Sequence, residues 1–231
     1  MAATAKAHQV PPPTSSNSRQ SLDDAWWTGP MLAPSAATLP RGHLLIEPYI
    51  YDVTKQGRFG SNGARHGASH SNSFGSPTCM NYGLINRLTV GMIPTFGYNE
   101  MSESPSSAGV GVGDLTLQAQ YRLNQFHEGS WLPTTSIAVQ ETLPTGKYDR
   151  LGDRPSDGLG GGAYTTTIAF YAQTYFWIPN GRILRTRFNV LPAVSKSADV
   201  SDVSVYGTPA GFRGRANQAA RCLWMRHGSI A

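Results

Sequence analysis

This chain is short of cysteine, of charge and of long apolar runs, and each shortage removes a class of protein. Its two cysteines, Cys79 and Cys222, stand far apart in 231 residues, so they make neither a disulfide framework nor a paired-thiol metal knuckle. No stretch of about 18 apolar residues occurs, which excludes a transmembrane helix. Charged side chains make up 14% of the sequence, against about 25% in an ordinary soluble domain. The formal net charge is +5, yet residues 208–231 hold Arg213, Arg215, Arg221 and Arg226 without one acid, leaving 15 basic against 14 acidic residues before them. So neutral a body lacks the spread of Lys and Arg that a phosphate-binding face requires, and nucleic acid is not an expected partner.

Catalytic and ligand-binding signatures are missing as well. There is no Gly-x-Ser-x-Gly elbow, and the glycines of "GVGVGD" and "GLGGGA" neither open a helix nor precede a phosphate-loop Lys, so neither an enzyme nor a cofactor is expected. His66 and His70 lie four apart on a Gly/Ser stretch with no helix to align them. Asp149, Asp153 and Asp157 are also spaced by four, where a calcium loop spaces its acids by two. No metal site is expected. The N-terminus lacks the apolar centre of a secretory signal, and its Pro, Ser and Gln content makes residues 1–24 a disordered lead-in.

What the chain does have is period-two alternation. In "DLTLQAQYRLN", Leu115, Leu117, Ala119, Tyr121 and Leu123 fall on one face, and Thr116, Gln118, Gln120, Arg122 and Asn124 on the other. The same split sets Leu88, Val90, Met92, Phe96 and Tyr98 against Arg87, Thr89 and Thr95, and Leu184, Phe188, Val190 and Val194 against Arg185, Arg187 and Asn189. Seven strands are expected, near 43–53, 77–83, 87–98, 114–124, 133–143, 163–178 and 183–195, with the Asn-Gly turn of "IPNGR" joining the last two. Long and shorter connections alternate along them. A soluble sandwich has no reason to gather long loops at one end, whereas an outer-membrane barrel has short periplasmic turns and long external loops.

Strands that cross a bilayer need an apolar outer band, a more polar interior and aromatic rings near the two interfaces. Tyr98, Tyr148, Tyr175, Phe176 and Trp177 are the girdle candidates. Glu47, Arg87, Gln118, Gln120, Arg122, Arg185, Arg187 and Asn189 are the candidates to face a lumen, since Arg against lipid at the midplane costs about 2–4 kcal/mol. Rings that fill a sandwich core are the alternative reading of the same pattern.

Four phrases in order, "WWTGPMLAPSAATLPRGHLLIEPYIYDV", "YGLINRLTVGMIPTFGYN", "GVGDLTLQAQYRLNQ" and "LPTGKYD", carry a family likeness. The chain resembles, over about residues 25–207, the bacterial outer-membrane proteins grouped under the meta-pathway of phenol degradation and often labelled transporters. The resemblance implies an all-β fold, an antiparallel up-and-down meander forming part of a barrel in the outer membrane of a Gram-negative bacterium. Its implied partners are outer-membrane lipid and small, often aromatic or hydrophobic, solutes. No catalytic residue is implied. Members of that family begin with a signal peptide and continue through further strands, so an incomplete barrel is expected here, with residues 208–231 a basic tail, disordered or foreign to the family. A soluble β-sandwich binding module and a non-functional gene fragment remain the alternatives. Oligomeric state is not legible.

Overall fold

Alternating small, branched and aromatic residues favour a pleated chain whose two faces differ. The computed structural model follows that plan; it describes residues 19–22, 33–218 and 220–230. The strands are β1 (Leu44–Pro48), β2 (Tyr51–Phe59), β3 (Arg65–Ile85), β4 (Leu88–Ile93), β5 (Thr95–Met101), β6 (Gly111–Val112), β7 (Leu115–Asn124), β8 (Thr134–Leu143), β9 (Thr165–Trp177), β10 (Ile183–Ser195), β11 (Ala198–Ser201), β12 (Arg213–Ala216) and β13 (Arg221–Ile230). A 3₁₀ turn, Pro155–Asp157, interrupts the long connection between β8 and β9.

All ladders are antiparallel. The principal sheet runs β13-β10-β9-β8-β7-β4-β3-β5-β6, with β1 and β2 also paired to β3. Three strands of this meander are broken in the middle. β1 and β2 share one long partner, β3; β4 and β5 part at Pro94, whose missing N–H ends a run of ladder bonds; β6 and β7 part at Gly113 and Asp114. Counted by position, the sheet has eight places, an up-and-down meander with β11 and β12 as a side hairpin.

Two expectations are corrected here. The Gly/Ser/Asn/His stretch before residue 77 is not a long loop. β2 and β3 continue through it as a hairpin that turns at Gly60–Ala64, with Gly60 donating to Ala64 O, and β5 pairs with the same part of β3. Both faces of β2 are exposed, so no apolar alternation was needed there and none is written. The expected seven strands also become eight positions, because Arg221–Ile230, within the expected tail, pairs with β10 along its length from Leu184↔Ile230 to Ala193↔Arg221. Its apolar and basic residues fall on both faces, which hides the period. The lead-in expected over 1–24 lies largely outside the described residues.

The sheet is strongly curled. Side chains of β10, β9, β7 and β4 all hydrogen-bond one short segment, residues 33–42, on the same face, as a sheet curled around that segment allows. Among the described residues no ladder joins β13 to β1 or β2, so the barrel is not closed.

The two faces are inverted relative to a soluble protein. Ile46, Met92, Leu117, Ile137, Val139, Ile168, Phe170, Phe188 and Val194 are all exposed on the outer face, while Arg185, Arg187, Asn189, Gln173, Ser136 and Thr89 are buried on the inner one. One curled sheet with its apolar face outward is not a sandwich, in which two sheets bury their apolar faces together.

Candidate functional site: the inner face and the segment that crosses it

Residues 33–42 precede β1 and run across the inner face near the short turns. Arg187 Nη1 donates to Ala33 O at 2.8 Å, and Asn189 Nδ2 donates to Pro34 O at 3.0 Å. Ser35 Oγ donates to Gln173 Oε1 at 3.2 Å, while Gln120 Nε2 donates to Ser35 O at 2.9 Å and to Ala37 O at 3.4 Å. Further on, Leu39 N donates to Thr89 Oγ1 at 2.8 Å, Arg41 N to Asn86 Oδ1 at 2.9 Å and Gly42 N to Gly83 O at 2.7 Å. The path visits β10, β9, β7, β4 and β3 in turn. Five inter-strand gaps amount to at most about 24 Å along the sheet, which an extended chain from residue 33 to 42, reaching about 30 Å, can span.

An extended segment away from any ladder must satisfy its backbone groups otherwise. Amide and guanidinium side chains do it here, which explains polar residues at positions that would be apolar in a soluble core. Gly83 fits the same crossing: a Cβ there would collide with Pro40 O, and it would stand 2.9 Å from Leu39 O. Backbone can lie directly on backbone only because the side chain is missing. Ala33 and Ala36 are buried against the sheet.

Gln118, Gln120, Arg122, Arg185, Arg187 and Asn189 lie on the less exposed faces of β7 and β10, where Gln120, Arg122, Arg187 and Asn189 stand opposite the buried Ala138, Ser136, Gln173 and Tyr171. Gln118 bonds Asn81 and accepts from Gln140 Nε2 at 3.1 Å. Arg185 Nε donates to Ser229 Oγ at 3.2 Å. Glu47 sits opposite Cys79 on the same face. Arg87 does not belong to this set. It lies exposed in the turn between β3 and β4, off any strand face.

The aromatic candidates divide. Phe176 is exposed on the outer face at 52%, and Tyr98, opposite Phe74, is also turned outward. Tyr175 and Trp177 flank Phe176 and therefore point inward. Tyr175 OH accepts from Gln173 Nε2 at 2.6 Å, and its ring meets Phe126 at 5.3 Å. Trp177 Nε1 donates to Gln20 O at 2.8 Å, with the Arg19 guanidinium 4.0 Å over its ring and Arg19 paired to Glu128 at 2.9 Å. These two rings anchor the preceding chain and are not girdle residues.

Tyr148 is no girdle residue either. It belongs to a cap of long loops, where its OH donates to Asp199 O at 2.9 Å and its ring packs on Ala163, Ala198 and Val200. Burial first, then the nearby Asp149 and Asp199 carboxylates, raise its phenol above the ordinary value. Asp149 and Asp157, read above against a calcium loop, pin this cap: Asp149 Oδ2 accepts from Ser201 N at 3.1 Å and Asp157 Oδ1 from Ala108 N at 2.8 Å. His66 is exposed in β3 opposite Arg58; the His70 side chain lies outside the described residues. Sequence reasoning missed Ser35, Gln173, Asn81 and Gln140. Gln173, the one amide side chain in "AFYAQTYFW", was the available signal.

An antiparallel up-and-down meander, apolar on its exposed face and polar on the other, has a counterpart among solved structures. The chain is similar to the crystal structure of an outer membrane channel from Pseudomonas putida F1, with a TM-score of 0.64 and 21% identity, covering 89% of this chain and 71% of that one. No family model matches the chain, and no curated protein matches it. Among the described residues no helix is long and apolar enough to cross a membrane, which says nothing of crossing by strands.

Proposed function

We propose that this chain is an outer-membrane β-barrel channel of a Gram-negative bacterium, passing small aromatic or hydrophobic solutes. The observation that carries the reading is the inversion of the sheet. Apolar side chains such as Val139, Ile168 and Phe188 stand exposed where lipid would cover them, and Arg185, Arg187 and Asn189 are buried where lipid would be ruinous. The shared fold with the Pseudomonas putida channel supports it. The solute class rests on the resemblance to the phenol meta-pathway proteins. In this reading Glu47, Gln118, Gln120, Arg122, Arg185, Arg187 and Asn189 line the lumen, Tyr98 and Phe176 contribute to the aromatic girdle, and outer-membrane lipid is the immediate partner.

The test is insertion followed by conduction. Refolded into lipid vesicles, the chain should give a heat-modifiable band on a gel, and vesicles containing it should swell faster in phenol or catechol than in a disaccharide of equal osmolarity. A chain that stays monodisperse in water without detergent and leaves vesicles unchanged refutes the proposal.

A further inference from the structure

We propose that Arg187 and Asn189, walled by Tyr171 and Tyr175, form a binding site for small hydroxylated aromatic carboxylates, and that such a ligand competes with residues 33–34 for the same donors. The inference rests on the channel reading for its biological meaning but on independent contacts for its chemistry.

Arg187 is 3% exposed, and both of its acceptors, Gln173 Oε1 at 2.7 Å and Ala33 O at 2.8 Å, are neutral. Neither the Arg19–Glu128 nor the Arg215–Asp199 ion pair involves it. Arg185, two residues along on the same face, adds a second positive charge, and Glu47 is the carboxylate within electrostatic reach of Arg187. These three groups carry a net positive charge. A buried guanidinium held by carbonyls alone binds a carboxylate in preference, because charge-assisted, bidentate bonds are shorter and roughly twice as strong.

Asn189 supplies the second observation. It is fully buried; its Nδ2 holds Pro34 O, and its Oδ1 is buried with no partner. An orphaned acceptor in such a place fits a ligand that brings a donor. The walls are aromatic: Tyr171 lies directly opposite Asn189, and Tyr175 opposite Arg185, with Gln173 opposite Arg187 between them. Same-face partners of this kind stand about 5 Å apart. An anionic oxygen pair, a hydroxyl donor and a flat ring answer to Arg187, Asn189 Oδ1 and the tyrosines in turn. The backbone oxygens of Ala33 and Pro34 now occupy the donors, so binding requires them to leave.

The experiment is calorimetric titration of the full chain, refolded in detergent, with 3-hydroxybenzoate, benzoate and 3-hydroxybenzyl alcohol as probes; the meta hydroxyl cannot bond its own carboxylate and is free to donate. 3-Hydroxybenzoate should bind most tightly, benzoate about tenfold more weakly for want of the hydroxyl, and the uncharged alcohol more weakly still. Arg187→Gln should cost 3-hydroxybenzoate at least about tenfold, Arg187→Lys less, and Asn189→Leu should remove the preference for 3-hydroxybenzoate over benzoate. Trypsin should cut after Arg41 faster with 3-hydroxybenzoate bound. Equal affinity for 3-hydroxybenzoate and the alcohol on the unaltered chain, or no saturable heat with 3-hydroxybenzoate, overturns the site whether or not the variants fold. Unchanged cleavage at Arg41 overturns the competition. Conduction in bilayers without 3-hydroxybenzoate binding would sink this site alone; 3-hydroxybenzoate binding without conduction would sink the channel reading alone.

Discussion

Val139 and Gln140 are adjacent on β8 and face opposite ways, so one substitution at each measures what the two faces touch. Val139 is 50% exposed, and its cross-strand partners on the outer face are Ala119 and Ile168. The nearest acid on that face is Glu141, two residues along β8, whose Oε2 already accepts from Thr166 Oγ1 at 2.6 Å. Val139→Arg therefore places a guanidinium in the apolar band with Glu141 alone to offset it, at a cost of up to about 2–4 kcal/mol if that band lies at the bilayer midplane. Gln140 uses its Nε2 only as a donor, to Gln118 Oε1 at 3.1 Å and to Tyr171 OH at 3.3 Å. Arginine has five donors and no acceptor, so Gln140→Arg can keep both bonds and should cost under about 1 kcal/mol. The difference, about 2 kcal/mol, is roughly a thirtyfold change in the folded-to-unfolded ratio. Urea titrations of the heat-modifiable band in lipid vesicles measure it directly. Equal midpoints for the two variants would show that the outer face does not meet lipid, and the same experiment in water alone supplies the baseline.

Three further outcomes follow from the contacts described. Gln120→Leu leaves Ser35 O and Ala37 O without their donor, at about 1–3 kcal/mol for the orphaned groups; the segment over residues 33–42 should exchange its amide hydrogens faster, and unchanged protection would refute its anchoring. Gly83→Ala adds a Cβ where Pro40 O already sits, so it should raise channel conductance by displacing the crossing segment while leaving vesicle insertion intact. Tyr148 has its phenol raised, so the protonated form is favoured in the folded cap; that stability is full below the unfolded value near 10 and is lost as pH rises through the higher folded one. Ultraviolet phenolate titration should therefore show one fewer late-titrating tyrosine in Tyr148→Phe than in the unaltered protein, and identical late titrations in the two would refute the packing of the cap.

The alternation of Leu115 to Asn124 and of Ile183 to Ser195 was enough, by itself, to determine strand type, strand bounds and the two faces, because the side-chain period of a strand is two whatever it pairs with. That is how Gln118, Gln120, Arg185, Arg187 and Asn189 could be placed on one face before any partner was known. Local sequence also determined the Ile183 hairpin, through its Asn-Gly turn. Pairing over long distances was decided only in the folded chain. The β2–β3 hairpin is held by backbone bonds that any residue except proline can make, so its glycines and serines left no trace of a strand. β13 became a strand because β10 offered a free edge, not because its own residues alternate. The crossing of residues 33–42 joins groups such as Ser35 and Gln173, 138 positions apart, and no local pattern records which distant amide will satisfy a backbone carbonyl. Trp177 read as a girdle ring for the same reason: its composition suited an interface, but the curl of the sheet and the arrival of Arg19 and Gln20 decided which side it served.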